Sequence, residues 1–403
     1  MPGITTRAAR PAVTQFRTSA AQTVIAGPGA IASLAGLLDR LGAERAFVVT
    51  GQSVAHRTPL PGAIRAAAGA RMAGLHDGIS AHTPLPRLIE AIAAARAARA
   101  DVLVTVGGGS VVDAGKFIAV CLSLGLSAPD DIRAFLAAQT SDPAPVPRML
   151  PHICIPTTAS AAEFTRVAGV LDPEVRAKRR LDHPQAVPYA VIQDPEACRH
   201  TPPHLFLSSA VRTLDHAVEG LYGPKATAYT DGLAKEAIRL LARAMPVLAR
   251  APDDLSAIGA VQAATWTGGY AGNGAGTGLS HGIGYLMGAQ FGVPHGECSC
   301  VTLAHVVDWN RPAAAPQVAE VARAMGLADA GTLDAEAADR AGPGIGAFVA
   351  GLGLPVRARD VTVPGRDALL GLVPDLLALP HVPGSPRMPV TEDEARGLLD
   401  RMW

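Results

Sequence analysis

The sequence has few cysteines, few aromatic residues and no excess of charge of either sign. The five cysteines in this chain of 403 residues are scattered and odd in number, which argues against a disulfide framework and favours a reducing compartment. Lysine plus arginine and aspartate plus glutamate number 35 each, so no overall field attracts nucleic acid or an anionic membrane. We therefore expect neither as a partner, and any charged ligand must be met by a local site.

Long hydrophobic runs are also missing. No stretch of about 18 apolar residues is present to span a bilayer, and residues 1–21 lack the apolar core of a signal peptide. We expect a cytoplasmic protein that begins with a flexible leader over residues 1–21. The arginine and Ser/Thr content of that leader leaves an organelle transit peptide as the alternative.

Alanine, glycine and other small apolar residues are abundant instead. Hydrophobic residues make up 49% of the chain and charged residues 17%, which is typical of a large globular protein. Over residues 22–196, short apolar runs alternate with Ala/Leu-rich helical stretches, which predicts βα units on a parallel sheet. After Pro195 only helical periodicity follows. The sequence thus predicts an α/β domain over residues 22–196 and an all-helical domain over residues 197–403.

A glycine-rich turn follows one predicted strand in the run VGGGSVVDAGK, residues 106–116. Backbone N–H groups without crowding side chains, at the positive end of a helix, suit a pyrophosphate. The run is neither G-x-G-x-x-G nor a P-loop, so a tight turn that serves packing is an alternative. A second strand end, PTTASAAEFTR, is rich in hydroxyl groups, and two such ends side by side favour a dinucleotide at the carboxyl edge of the sheet.

Five segments together resemble the iron-containing alcohol dehydrogenase superfamily, whose architecture dehydroquinate synthase shares. They are GGGSVVDAGK, IPTTASAAEFT, DHAVEGLYG, GLSHGIGYLMGAQFGVPHG and SPRMPVTEDEARGLL. The resemblance implies a Rossmann-like dinucleotide-binding domain, an all-α domain and an active site in the cleft between them. It also implies hydride transfer between NAD(P)H and a carbonyl or alcohol, in a homodimer or a larger oligomer.

The resemblance also implies a set of cofactor contacts. Pyrophosphate and ribose contacts fall on the loop residues Gly107, Gly108, Gly109, Ser110 and Asp113. Adenine and nicotinamide contacts fall on Thr157, Thr158 and Phe164. An aspartate after the first strand of the domain repels the 2′-phosphate of NADPH in this family, but here Gly51 and then Ser53 follow that strand. We therefore expect NADPH to be accepted, with NADH as the alternative cofactor, unless Gly51 serves only the turn.

Metal-dependent members of the superfamily bind a divalent ion through one aspartate and three histidines. The histidines correspond to His216, His281 and His295, but Arg212 stands at the aspartate position. A guanidinium has no lone pair to donate and repels a cation. We expect Arg212 to stabilise an oxyanion or to hold a carboxylate, with the histidines as hydrogen-bond donors and proton carriers. The alternative is an ion pair between Arg212 and a nearby acid such as Asp215 or Glu219.

Tyr285 is a second departure from the family pattern. It stands four residues after His281, where the family commonly has another histidine near the nicotinamide. A tyrosine hydroxyl can donate a proton or a hydrogen bond to a developing alkoxide. Packing is an equally open role for Tyr285.

The resemblance is closest in character to the maleylacetate reductases, a branch that lacks the aspartate and works without metal. We therefore predict an NAD(P)H-dependent, metal-independent oxidoreductase that acts on the CH–OH/C=O or CH–CH/C=C group of a small, anionic, oxo-acid-like substrate. One alternative is an alcohol dehydrogenase with iron or zinc on His216, His281 and His295. Another is a non-catalytic sensor that binds a nucleotide. A reaction of the dehydroquinate synthase type is disfavoured, because the acidic zinc ligand is missing.

Overall fold

The computed structural model describes residues 23–139, 145–146, 148–174, 177–379, 384–387, 389 and 391–403. The leader expected over residues 1–21 lies outside this range. The chain divides into two compact units, and the boundary between them falls between Thr201 and Pro202.

The strands of the N-terminal unit are β1 Thr23–Ala26, β2 Ala46–Thr50, β3 Met72–His76, β4 Val102–Gly107, β5 His152–Pro156, β6 Val167–Asp172, β7 Ala177–Asp182 and β8 Ala190–Gln193. Six of them form an entirely parallel sheet in the order β1-β8-β5-β4-β2-β3. The helices of this unit are α1 Leu34–Leu41, α2 Gln52–Arg57, α3 Leu60–Ala68, α4 Leu85–Ala97, α5 Gly109–Ser123, α6 Pro129–Ala137 and α7 Pro195–Cys198. This architecture confirms the predicted α/β domain with a parallel sheet.

The central strands are apolar because both faces of the sheet are covered. All five residues of β2 are buried, with Phe47 and Val49 in one hydrophobic cluster and Val48 in another. Successive side chains of a strand point to opposite faces, so each face needs its own apolar set. The continuous apolar runs of β2, β4 and β5 follow from this double burial.

The sequence did not predict the antiparallel hairpin formed by β6 and β7. Residues of β6 alternate between buried and half-buried positions. The run AKRRLD of β7 has Leu181 buried, whereas Arg180 is exposed and Arg179 half-buried. Because Leu181 is the one buried residue among the β7 side chains that the structure describes, the strand has no apolar pattern in its sequence.

The C-terminal unit contains helices and no strand in its described residues. Its helices are α8 Pro203–Tyr222, α9 Ala228–Arg250, α10 Leu255–Ala275, α11 Leu279–Phe291, α12 His295–Ala324, α13 Asp334–Gly351, α14 Arg366–Leu370, α15 Val373–Ala378 and α16 Glu392–Met402. Helix α12 is kinked at Ala314, between Pro312 and Pro316, as expected where proline interrupts helix hydrogen bonds. The predicted all-helical character of this part of the chain is confirmed.

Helix α8 lies at the centre of the C-terminal unit and packs against α9, α10 and α12. Two glycines of α10 permit the close approach: a Cβ on Gly268 would lie 2.9 Å from Cγ2 of Thr213, and a Cβ on Gly272 would lie 2.9 Å from Cβ of His216. Most of α8 is therefore buried, including polar residues that a surface helix would expose.

The cysteines and the longest helices agree with what the sequence lacks. None of the five cysteines, all of which are described and buried, is joined to another by a disulfide bond. Among the described residues, no helix combines the length and the apolar character needed to cross a bilayer.

Candidate active site

The glycine-rich turn between β4 and α5 is packed against the segment that follows β5. A Cβ on Gly108 would lie 3.2 Å from Cγ2 of Thr158, and a Cβ on Gly109 would lie 2.8 Å from Oγ of Ser160. Gly107 has a φ of 156°, in a region that favours glycine. The turn is thus a cradle that side chains would fill, and its backbone at the start of α5 fits a pyrophosphate.

Ser110 is held in place by a strained turn. Its Oγ accepts a hydrogen bond from the backbone N–H of His82 at 3.2 Å, and its carbonyl accepts one from Oγ1 of Thr83 at 3.0 Å. His82 and Thr83 have φ values of 62° and 53°, which non-glycine residues seldom adopt. Such strain is often found at functional sites.

Asp113 is committed to protein contacts on both carboxylate oxygens. Oδ1 accepts a hydrogen bond from Nζ of Lys116 at 3.2 Å, and Oδ2 accepts one from the backbone N–H of Gly169 at 3.0 Å. Lys116 is fully buried and also donates to Oγ1 of Thr165 and to the carbonyl of Val167. Asp113 thus fastens α5 to β6, and its contact with a ribose stays a prediction.

The remaining predicted cofactor residues lie at strand ends. Thr157 and Thr158 directly follow β5 and are buried, as is Phe164 in a short 3-10 turn. Ser53 is exposed in the first turn of α2. A Cβ on Gly51 would lie 2.9 Å from the carbonyl oxygen of Ile79, so any side chain there would require the backbone to shift. The glycine serves the turn, and it also leaves this strand end without a negative charge.

A cluster of polar side chains lies inside the C-terminal unit, around the centre of α8. Its members come from α8, α11 and α12 and are Arg212, Asp215, His216, Glu219, Ser280, His281 and Ser299. We call this set the α8 cluster. Asp215, Glu219, Ser280 and Ser299 are fully buried, and His281 is 6% exposed.

Arg212 is anchored inside the α8 cluster by one end of its guanidinium. Nη1 donates to Oγ of Ser299 at 3.2 Å and lies 3.5 Å from Oδ2 of Asp215. The same Oδ2 accepts hydrogen bonds from Oγ of Ser299 at 2.6 Å and from Oγ of Ser280 at 3.0 Å. The side chain of Arg212 is 17% exposed, whereas that of Asp215 is fully buried.

His281 lies between Glu219 and His216. Its Nδ1 is 2.7 Å from Oε2 of Glu219, and its Nε2 is 3.0 Å from Nδ1 of His216. Glu219 is itself fixed by the backbone N–H groups of Gly278 and Ser280, at 2.6 and 2.7 Å. Because a carboxylate only accepts, it requires a proton on Nδ1 of His281 and so sets the orientation of the ring.

The pKa values of the α8 cluster follow from its burial and charges. Burial, reinforced by His281 and Arg212, holds the pKa of His216 well below its ordinary value. Burial and Arg212 also lower the pKa of His281, but Asp215 and Glu219 outweigh them and the pKa is raised. Burial raises the pKa of Asp215, but His281, Arg212 and Ser299 outweigh it, so the pKa lies below the ordinary value. The cluster thus favours an ionised Asp215, a cationic His281 and a neutral His216.

The structure brings together three of the five residues predicted to be catalytic: Arg212, His216 and His281. Tyr285 is half-buried on α11, one turn after His281. His295 is half-buried as the first residue of α12, and a Cβ on Gly288 would lie 3.3 Å from its Cε1. The catalytic roles of these five residues stay predictions.

The residues present do not fit the family's metal site. Within the described residues, the potential ligands whose donor atoms all lie within 4.8 Å of one another are Asp215, Glu219 and His281. His216, His281 and His295 do not form such a group. The carboxylates of Asp215 and Glu219 already accept hydrogen bonds, and the cationic Arg212 lies 3.5 Å from Asp215. A divalent ion here would have to displace those donors and withstand the guanidinium charge.

Sequence reasoning missed Ser280 and Ser299 and treated Asp215 and Glu219 only as possible partners of Arg212. The pairing of Arg212 with Asp215 has a signal in the sequence, since residues three apart share a helix face. Glu219 instead contacts His281, sixty-two positions further along the chain. The spacing of residues within one helix cannot predict a contact between two helices. Ser280 and Ser299 belong to no recognisable sequence motif.

Comparison with known proteins agrees with these features. The model of the iron-containing alcohol dehydrogenase family matches residues 21–195, and that of the C-terminal region of the Fe-containing alcohol dehydrogenase family matches residues 206–369. The chain belongs to the iron-containing alcohol dehydrogenase family. It is therefore an oxidoreductase, as predicted, and its membership supports the use of NAD(P)H.

Several relatives of the chain are maleylacetate reductases. Maleylacetate reductase 2 of Cupriavidus pinatubonensis is 31% identical over 303 residues, which cover 75% of this chain and 76% of that protein. The crystal structure of maleylacetate reductase from Agrobacterium tumefaciens is 26% identical, with a TM-score of 0.80 over 97% of this chain and 98% of that chain. A 1,3-propanediol oxidoreductase structure, 24% identical, has the same fold, with a TM-score of 0.86 over 96% of this chain and 100% of that chain. The predicted likeness to the maleylacetate reductase branch is confirmed.

Proposed function

We propose that this protein is an NAD(P)H-dependent reductase that works without a metal ion and reduces a small, anionic, unsaturated oxo acid of the maleylacetate type. The observation that carries the proposal is Arg212, a permanent cation at the family's aspartate position, with one end of its guanidinium anchored in the α8 cluster. A fixed cation favours an oxyanion or a carboxylate over a neutral alcohol. The named relatives that reduce maleylacetate support the substrate class.

The proposed division of work follows the two units. The glycine turn 107–109, Ser110, Thr157 and Thr158 would hold the cofactor, and Gly51 leaves room for NADPH. A bound NAD(P)H supplies the hydride. Arg212 would stabilise negative charge on the substrate. His216 would donate the proton on its Nε2 to the substrate while its Nδ1 takes up a proton from Nε2 of His281, and Tyr285 is the alternative donor.

The proposal also covers the location, oligomeric state and partners of the enzyme. We propose a cytoplasmic homodimer whose partners are the cofactor and a small anionic substrate, with neither nucleic acid nor a membrane involved. The second candidate is a metal-dependent alcohol dehydrogenase: His216, His281 and His295 are present at the family's ligand positions in the sequence, although they do not form a ligand group in the structure.

The test combines three measurements on one preparation, purified from cells supplied with iron and zinc. NADPH binding is followed by fluorescence, and metal content is determined by elemental analysis. Oxidation of NADPH is then measured with maleylacetate or with butanal as the substrate. We expect NADPH binding, no stoichiometric metal and turnover of maleylacetate in preference to butanal. Stoichiometric iron or zinc together with turnover of butanal would establish the alcohol dehydrogenase instead. NADPH binding without oxidation of the cofactor would identify a sensor.

A further inference from the structure

The hydroxyl of Ser299 lies between Arg212, which can only donate hydrogen bonds, and Asp215, which can only accept them when it is ionised. Its Oγ lies 3.2 Å from Nη1 of Arg212 and 2.6 Å from Oδ2 of Asp215. A guanidinium has no acceptor and an ionised carboxylate has no donor. The direction is therefore fixed: the Ser299 hydroxyl accepts from Arg212 and donates to Asp215.

Asp215 is also held by a second hydroxyl, on the same carboxylate oxygen. Its Oδ2 also accepts a hydrogen bond from Ser280, whose Oγ lies 2.7 Å from Oγ1 of Thr302. All four of these residues, Asp215, Ser280, Ser299 and Thr302, are buried, and they come from α8, α11 and α12. The anchor for Arg212 is thus tied to three helices rather than to the flexible end of one side chain.

The contacts of the guanidinium among the described residues use Nη1. Nε and Nη2 carry the remaining N–H groups, and the side chain is 17% exposed. An arginine side chain has many rotamers, and the entropy lost on fixing one of them works against a single orientation. An anchor on one terminal nitrogen restricts that freedom and keeps the other N–H groups available to a planar anion.

We propose that Ser299, together with Asp215, is a positioning residue that fixes the guanidinium of Arg212 for binding the carboxylate or oxyanion of the substrate. The inference rests on the proposed function, because it requires Arg212 to contact the substrate. Ser299 acts only through Arg212, so its contribution must vanish when Arg212 is absent.

A double-mutant cycle tests this dependence. Ser299→Ala, Arg212→Ala and the double variant are compared by kcat/KM for maleylacetate and by calorimetric binding of maleate to the enzyme–NADP⁺ complex. We expect Ser299→Ala to lower both kcat/KM and maleate affinity by about tenfold, the order for one hydrogen bond to a charged group. In the Arg212→Ala background, Ser299→Ala should lower kcat/KM and maleate affinity by less than about twofold, since no guanidinium remains to be held.

Two further variants separate positioning from stability. Ser208 is a buried serine of α8 whose hydroxyl bonds to the carbonyl of Leu205, and Ser208→Ala is expected to retain wild-type kinetics. Ser299→Thr keeps the hydroxyl and should stay within about threefold of the wild type, whereas a loss as large as that of alanine would contradict the proposal. Melting temperatures and NADPH affinity are measured for every variant, and both should stay near wild type.

The outcomes distinguish this inference from the function on which it rests. If Ser299→Ala leaves kcat/KM and maleate affinity unchanged, or lowers them equally with and without Arg212, the positioning role is wrong while the proposed function stands. If Arg212→Ala itself retains full activity and maleate affinity, the proposed role of Arg212 fails, and the positioning role of Ser299 fails with it.

Discussion

Replacing Arg212 with alanine is expected to lower kcat/KM for maleylacetate by about 10²- to 10³-fold, the range found when a donor to a developing oxyanion is removed. Nη1 of Arg212 is anchored by Ser299 and Asp215, so its positive charge is in place before the substrate binds. Alanine removes both the charge and the planar set of N–H groups. The affinity for NADPH should be unchanged, because the glycine turn belongs to the N-terminal unit.

The controls for Arg212 address charge, shape and folding. Arg212→Lys keeps the charge but loses the bidentate geometry, so it should recover only part of the activity. Arg239 on α9 makes an ion pair with Glu236, and both side chains are about two-fifths exposed, so Arg239→Ala should leave kinetics unchanged. Initial rates with maleylacetate and fluorescence titration with NADPH supply the measurements. Full activity of Arg212→Ala would show that the guanidinium serves only the structure of the α8 cluster.

Replacing Gly115 with alanine is expected to destabilise the N-terminal unit by about 2–3 kcal/mol, even though alanine is the better helix former. A Cβ at this position of α5 would lie 2.4 Å from Nε2 of His152 and 2.4 Å from Cγ2 of Thr105. His152 cannot move aside easily, because its Nε2 is 2.7 Å from Oγ1 of Thr105. Burial, and secondarily Lys116, lower the pKa of His152 to about 3, so the ring is a neutral part of the core.

Gly232 provides the matched control for Gly115. It also lies inside a helix, α9, but a Cβ there would meet no atom within 4 Å. Gly232→Ala should therefore stabilise the protein by about 0.5–1 kcal/mol. Thermal unfolding followed by circular dichroism should show a fall of about 5–10 °C for Gly115→Ala and a small rise for Gly232→Ala. A rise for both variants would mean that α5 does not lie so close to the sheet.

The sequence predicted those parts of the fold whose burial produces a local pattern of apolar residues. Strands β2, β4 and β5 are buried on both faces and appear as apolar runs, whereas the run AKRRLD of β7, in which Leu181 is buried and Arg180 is exposed, gives no such signal. The turn after β4 packs so closely against its neighbours that only glycine fits, and this requirement makes the turn visible in the sequence.

Contacts between distant segments of the α8 cluster could not be predicted in the same way. Arg212 and Asp215 share a helix face, so their proximity is a local property. The approach of Ser299 to both residues depends on how α12 packs against α8, and the approach of Glu219 to His281 depends on α11. Serines and glutamates are too common for their positions alone to indicate such contacts.

The order of strands has a consequence for how the protein acquires its structure during synthesis. Strand β1 pairs with β8, and Thr23 aligns with Ala190, so nearly all of the N-terminal unit separates the two partners in sequence. During translation, β1 must wait until β8 has left the ribosome, and closing so long a loop slows folding. We expect the β2–β4–β5 centre of the sheet to assemble first and β1 to be added last. Until then, the edge of β8 that later receives β1 is exposed to pairing with other chains, which makes this the step at which chaperones would matter most.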